Sequence, residues 1–320
     1  MAHRLEINKR KEYDIAYRGM TPWHGLGQKL TANATVDEWR VAAGLDWEAL
    51  VAPVQFATPT GMQNFNNRTV IYRSDDQRPL GVVSDKYKLV QPAQIMDFFR
   101  DLVETQDGWS LETAGCIQGG KKIWALANIG RDFEATNNDL VKGYALISTA
   151  TDGTLATSVR FTSVRVVCNN TMTVALGSKA KVSVSHASTF DIETVRRSAD
   201  LIPESYMAYR DMVLALSKTK LDQATAEKII HKVFEVDPSV KNSVENSWGV
   251  QAVKKLYAGL GMGADMKGVS GTSWGLLNAF TEYVDFGTQS KSQDGALTSS
   301  WFGRGAALKI DAMNALLAIA

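Results

Sequence analysis

Gly115, four intervening residues, Gly120 and Lys121 reproduce the spacing of a phosphate-cradling P-loop up to its last position. There Lys122 replaces the hydroxyl residue that would meet Mg²⁺. The chemistry this spacing would serve is nucleotide binding, and it needs the glycine turn to open a helix whose first N–H groups hold the phosphates. The flanks read otherwise. Residues 109–114 (WSLETA) alternate, and residues 123–129 (IWALANI) carry the aromatic and β-branched content of a strand. Gly119-Gly120 is a hairpin-turn dipeptide, because glycine accepts the positive φ such turns need. The stretch 109–129 therefore predicts a β-hairpin with a basic tip.

Other reactive side chains are scattered. His3, His24, His186 and His231 show no metal-ligand spacing, and neither do Cys116 and Cys168. Cys168 with His186 would make a thiol pair, but "VRVVCNNT" reads as a strand, where a cysteine is buried and inert. Glu282 and Asp285 stand three apart on a helix and share a face. Paired carboxylates hold metals or move protons; the pattern around them, with Leu277, Phe280 and Val284 inward, reads instead as the solvated side of an amphipathic helix. The expectation is no catalytic residue, no bound metal and no cofactor.

The cations cluster better. Lys121 and Lys122 sit at the hairpin tip, Arg160 and Arg165 flank a second turn, Lys179 and Lys181 follow the next strand, and Arg196 and Arg197 open a long helix. Between residues 155 and 199 the only acids are Asp191 and Glu193. Such a stripe suits a phosphate backbone, and the nearby aromatics Tyr144 and Phe161 suit stacking on bases. The expected partner is single-stranded DNA.

These residues need elements to hold them. With 320 residues, 45% hydrophobic, 22% charged and a net charge of +1, the chain is an ordinary globular one whose nucleic-acid affinity must come from local patches. Two cysteines suit a reducing compartment. No run approaches the ~18 apolar residues of a membrane span, and the first residues lack an apolar signal core; the expected location is the cytoplasm, with no membrane partner. Residues 1–34 read as an irregular arm, 35–220 as an α+β core domain, and 221–320 as a helical region packed on it. In the core, Thr35 caps a short helix with Glu38 placed for a capping box. Strands follow near 47–57, 67–73 and 80–84, and Pro92 opens a helix. After the hairpin come strands at 142–150, 154–162 and 164–176, joined by Asp152-Gly153 and a tight corner at Phe161–Val164. A helix from Asp191 to Leu216, bent at Pro203, leads to helices at 223–234, 238–260, 272–286 and 305–319. The fold class is α+β: an antiparallel sheet with β-hairpins, then a long helix and a helical C-terminal part.

The segments "TPWHGLG", "GVVSDKYKLVQ", "RVVCNNT", "SWGLLNAFTEYVD" and "WFGRGAALKIDAMNALL" together resemble a phage- and plasmid-encoded protein family of unknown function, from about residue 19 onward. The order of hairpin, further strand and long helix resembles, in topology alone, phage single-strand annealing proteins of the Red/RecT/Erf type. That resemblance implies homo-oligomeric rings or filaments that lay single-stranded DNA along a basic groove, with no covalent chemistry. Two other readings stay open: an interaction or counter-defence protein of a mobile element, and a metal-dependent enzyme.

Overall fold

The computed structural model describes residues 13–19, 27–165, 170–173, 183–184, 196–197, 199–264, 266–288 and 293–320. Part of the expected N-terminal arm is already sheet: β1 (Ile15–Arg18) and β2 (Gln28–Leu30) pair in parallel. Helix α1 (Val36–Ala42) starts where its sequence signal lies. The Glu38 N–H donates to Thr35 Oγ1 at 3.2 Å, and the Thr35 N–H donates to Glu38 Oε2 at 2.6 Å. Thr35→Ala removes one half of this box and is expected to destabilise the protein by about 1 kcal/mol, read by denaturant titration. Next, β3 (Ala49–Thr58), β4 (Gly61–Arg73) and β5 (Pro79–Ser84) form a three-stranded antiparallel sheet. In α2 (Pro92–Glu104), Ile95, Met96, Phe99, Leu102 and Val103 form the buried stripe that the sequence spacing implies.

The larger sheet follows. Strand β6 (Ser110–Ile117) pairs with β7 (Lys122–Glu134) from Ser110 opposite Asn128 to Ile117 opposite Lys122. The hairpin reading of 109–129 therefore holds, and no helix opens after Lys122. Strands β8 (Leu140–Ala150), β9 (Thr157–Arg165), β10 (Asn170–Thr173) and β11 (Ser183–Val184) complete a sheet ordered β10-β9-β8-β7-β6-β1-β2, with β11 also on β9. Asp152-Gly153 lies in the β8–β9 turn. The expected corner at Phe161–Val164 does not exist: β9 pairs with β8 without a break from Ser158 to Arg165. "FTSV" contains no Gly, Pro, Asn or Asp to turn the chain, and its alternation simply continues the strand.

Arg196 and Arg197 lie in a short helical turn; the expected helical segment before them falls outside the described residues. Helix α3 (Ile202–Lys218) carries Pro203 in its first turn, so this proline opens a helix rather than bending one, its missing N–H being unneeded there. Helix α4 (Gln223–Val233) is as expected. The helix expected at 238–260 is broken: α5 (Ser243–Asn246) stops at Ser247, which caps α6 (Trp248–Lys255), and a π turn over Leu256–Leu260 ends it. Thr272 caps α7 (Ser273–Glu282), buried on every side, which runs on into a π turn at Tyr283–Gly287. Helix α8 (Gln293–Phe302), absent from the sequence reading, precedes α9 (Arg304–Leu317).

One face of the large sheet, with Ala125, Ala145, Ile147 and Phe161, joins α1, α2, α3 and α7 in a single cluster that reaches Leu316. The opposite face, with Trp124, Leu126, Tyr144 and Leu146, is covered by Leu297 and Trp301 of α8. The Trp124 and Trp301 rings meet edge to face, 5.0 Å apart, which places a helix whose own pattern is weak. Among the described residues no helix is long and apolar enough to cross a membrane.

Candidate functional site

In an up-and-down sheet, alternate turns share one end, and here the β6–β7 and β8–β9 turns meet. The β4–β5 turn of the smaller sheet joins them. Arg78 and Pro79 from β4–β5, Gln118, Lys121 and Lys122 from β6–β7, Asp152, Thr154 and Leu155 from β8–β9, and Thr298 and Phe302 of α8 enclose an open cavity of about 620 Å³. Three cations face one lining carboxylate. That carboxylate is already engaged: Asp152 Oδ1 accepts from the Thr154 N–H and hydroxyl at 2.9 and 2.6 Å. Lys122 is held inward, its Nζ donating to Gln118 Oε1 at 2.8 Å and lying 4.0 Å from Asp152. Arg78 leans on Asp76 at 3.5 Å. No carboxylate among the described residues pairs with Lys121, and the Thr298 hydroxyl is buried without a hydrogen-bond partner. Beside the cavity, burial and then the Asp152 charge push the Tyr87 hydroxyl up to about 12; it stays a donor, to the Ala150 carbonyl at 2.9 Å.

The tip is therefore not a free basic finger. Arg73 Nη1 donates to the Gly119 carbonyl at 3.2 Å, and Gly120 lies against the buried Trp47 ring, over which Arg73 stacks at 4.7 Å.

The other expected cations do not join this cavity. Lys122 lies opposite Ala150, and Arg165 lies opposite Val141, nine residues further along β8, about 30 Å away at strand rise. Arg196 and Arg197 belong to Arg165's end, because Gln106, in the loop that leads into β6, donates to Asp200 at 3.3 Å. Arg160 stands mid-strand opposite Leu146, with its Nε buried and unbonded, and burial lowers its pKa. Arg160 and Arg165 do not flank a turn; they share one strand. Lys179 and Lys181 lie outside the described residues, as do Cys168, His3, His24 and His186.

The two aromatic positions need correction. Phe161 is fully buried between Tyr206 and Tyr209, at centroid distances of 6.1 and 5.3 Å. Tyr144 is buried on the opposite face and donates to Glu112 Oε1 at 3.1 Å; burial, then the Glu112 charge, raises its pKa. Neither ring has a face left for a base in this arrangement. Sequence reasoning also missed Arg78, Asp152 and Thr298. Only Asp152 was findable, since the β6–β7 and β8–β9 hairpin turns of one up-and-down sheet must share an end.

Residues 79–301 match the family described as a domain of unknown function, DUF932. The chain belongs to that family. No curated protein and no solved structure matches it. The DUF932 match takes in most of the cavity wall, from Pro79 to Thr298, while Arg78 and Phe302 stand one residue outside it at either end.

Within the DUF932 segment, Glu282 and Asp285 depart from the sequence reading, since Glu282 is buried and the Asp285 side chain is only 5% exposed. Glu282 accepts from the Met262 N–H, at 3.1 and 3.0 Å to its two oxygens. Asp285, carried on the π turn, accepts from Lys309 Nζ at 2.6 Å and from the Ser300 hydroxyl, and Lys309 also donates to Ser300 Oγ at 2.9 Å. The two carboxylates thus serve separate partners. Among the described residues no three His, Cys, Asp or Glu side chains gather as a metal site.

Proposed function

We propose that this chain binds single-stranded DNA through its phosphates, as an annealing protein of a phage or plasmid, without covalent chemistry. The supporting observation is the cavity where three turns bring Arg78, Lys121 and Lys122 against the single, internally bonded Asp152. A strand seated there meets unbalanced positive charge and an unbonded hydroxyl at Thr298. A strand that also reached Arg165, Arg196 and Arg197 would run the length of the sheet. The origin rests on the five resembling segments, and the annealing role on the order of sheet and helix.

Fluorescence anisotropy with a labelled oligothymidylate, titrated over salt concentration, tests the binding. Affinity is expected to fall steeply with salt, and Lys121→Ala to weaken binding to all sequences alike while flattening the log–log slope by about 0.7. Binding that is absent at low salt, or indifferent to salt, would sink the reading.

A second reading, a protein-interaction factor of a mobile element, draws on a different observation: the long β3–β4 hairpin exposes Phe56, Met62 and Phe65. Its discriminating result is capture of a specific host protein by a chain that ignores DNA.

A further inference from the structure

From Val51 to Asn67 the chain carries no charged residue, seventeen positions in a protein that is 22% charged. This stretch forms most of β3 and β4. At its base, Leu50 lies opposite Tyr72, Ala52 opposite Val70, and Val70 opposite Val82. Directly opposed residues share a face, so these five side chains line one face of the small sheet. The other face holds Ala49, Ile71 and Val83 and packs on the core. The outer face of an antiparallel sheet is normally polar. Here it is apolar, with Val82 57% exposed.

Further out the hairpin leaves the body. The register moves from Pro53 opposite Thr69 to Gln55 opposite Asn64, so Val54 faces a four-residue bulge in which Asn67 takes a φ of 63°. Strand β5 supports β4 only as far as Arg68. Beyond it stands a bare two-stranded hairpin, an element marginal in water by itself. Phe56 pairs with Gln63 and Ala57 with Met62, which puts Phe56 and Met62 on opposite faces, and both are exposed.

An uncharged arm has no attraction for phosphates or anionic headgroups. Its exposed Phe56, Met62 and Phe65, and its lack of Lys, Glu and Asp, match the composition of a protein interface core. We propose that the outer face of β3–β4–β5 and its distal arm form an interface between two copies of this chain. An uncharged surface meets its own copy without like-charge repulsion, and a two-fold axis asks for that self-complementarity. An apolar sheet face packs on another at about 10 Å, and each arm, uncharged on both faces with Phe56 on one and Met62 on the other, reaches across its neighbour. In flat projection the base covers about 240 Å² and the distal arm about 170 Å² on each face. Counting both faces of the arm this is about 580 Å² per partner, below the roughly 800 Å² of a standard interface and the size of a weak, reversible one. The proposal is independent of DNA binding.

Sedimentation velocity of the full chain across the micromolar range tests it, with Val82→Glu and Phe56→Ser as variants and Trp248→Ser, exposed on α6, as control. Near-UV circular dichroism checks that each keeps its fold, which surface positions allow. The expected result is a dimer or larger assembly whose dissociation constant rises about tenfold or more in Val82→Glu and in Phe56→Ser and stays unchanged in Trp248→Ser. A monomer at every concentration would overturn the proposal. So would an assembly indifferent to Val82→Glu and Phe56→Ser, or one that Trp248→Ser disrupts equally.

Discussion

Asp285→Ala is expected to lower the unfolding free energy by about 3–5 kcal/mol, the usual consequence of removing one partner from a buried ion pair. Lys309 is 1% exposed, and its ammonium donates to Asp285 at 2.6 Å and Ser300 at 2.9 Å. Removing the carboxylate takes the Asp285 counter-charge from an ammonium held in a dry interior. The same three residues tie the π turn to α8 and α9, so the loss reaches three elements at once. Lys309→Met in the Asp285→Ala background removes the stranded charge and is expected to restore most of the stability. Chemical denaturation of the four proteins of this cycle gives the answer. An Asp285→Ala variant within 1 kcal/mol of the parent would show that the pair does not hold these helices.

The pH dependence of that variant has a definite sign. Burial lowers the Lys309 pKa, and Asp285 works against that shift. A lysine depressed in the folded state releases its proton there before the unfolded chain does. Between the lowered value and the ordinary one near 10.4, the unfolded state binds more protons, so stability rises with pH in that window. Without Asp285 the depression deepens and the window widens downward. The deficit of Asp285→Ala should therefore narrow as pH rises from neutrality toward 10. A deficit constant over that range would mean that the stranded ammonium is not its cause.

Elements with strong local signals were legible in the sequence. Thr35 with Glu38, Pro92 before an apolar stripe, Gly119-Gly120 between two strand-like runs, and Thr272 before α7 each state their structure within a few residues. What was illegible depends on distant partners. Helix α8 has two serines, a glycine and little periodicity, and owes its place to Trp301 meeting Trp124. Glu282 and Asp285 look like a solvated pair because sequence spacing assumes 3.6 residues per turn, whereas the π turn sends Asp285 to Lys309, 24 residues away. Phe161 looks available for stacking only if the chain turns there; in an unbroken strand its parity sends it into the core. The site was misjudged for a related reason. A turn at Phe161–Val164 would already stand at the opposite end of the sheet from Lys121 and Lys122, and the observed β9 leaves Arg160 mid-strand and Arg165 about 30 Å from them. The cation cluster that does form needed Arg78, from another sheet, which local patterns do not reach.

Gly120→Val is expected to cost about 2–6 kcal/mol, with two separable causes. Gly120 has a φ of 95°, a conformation that strains a β-branched residue by about 1–3 kcal/mol. A Cβ there would also stand 2.5 Å from Trp47 Cζ2. That ring cannot yield cheaply: it is buried, its Nε1 donates to the Gly44 carbonyl at 2.9 Å, and Arg73 stacks on it. Overpacking of this kind adds about 1–3 kcal/mol. Gly61, at the tip of the β3–β4 arm, provides the comparison. Its φ is 124°, but nothing lies within 4 Å of its Cβ position. Gly61→Val should therefore show the backbone strain alone, and the difference between the two variants measures the tip's docking on Trp47. Equal losses, read by thermal and denaturant unfolding, would mean that the tip is not held there. The cavity would then lack the fixed floor that sets Lys121 and Lys122 beside Arg78, and the phosphate seat proposed for it would lose its geometric basis.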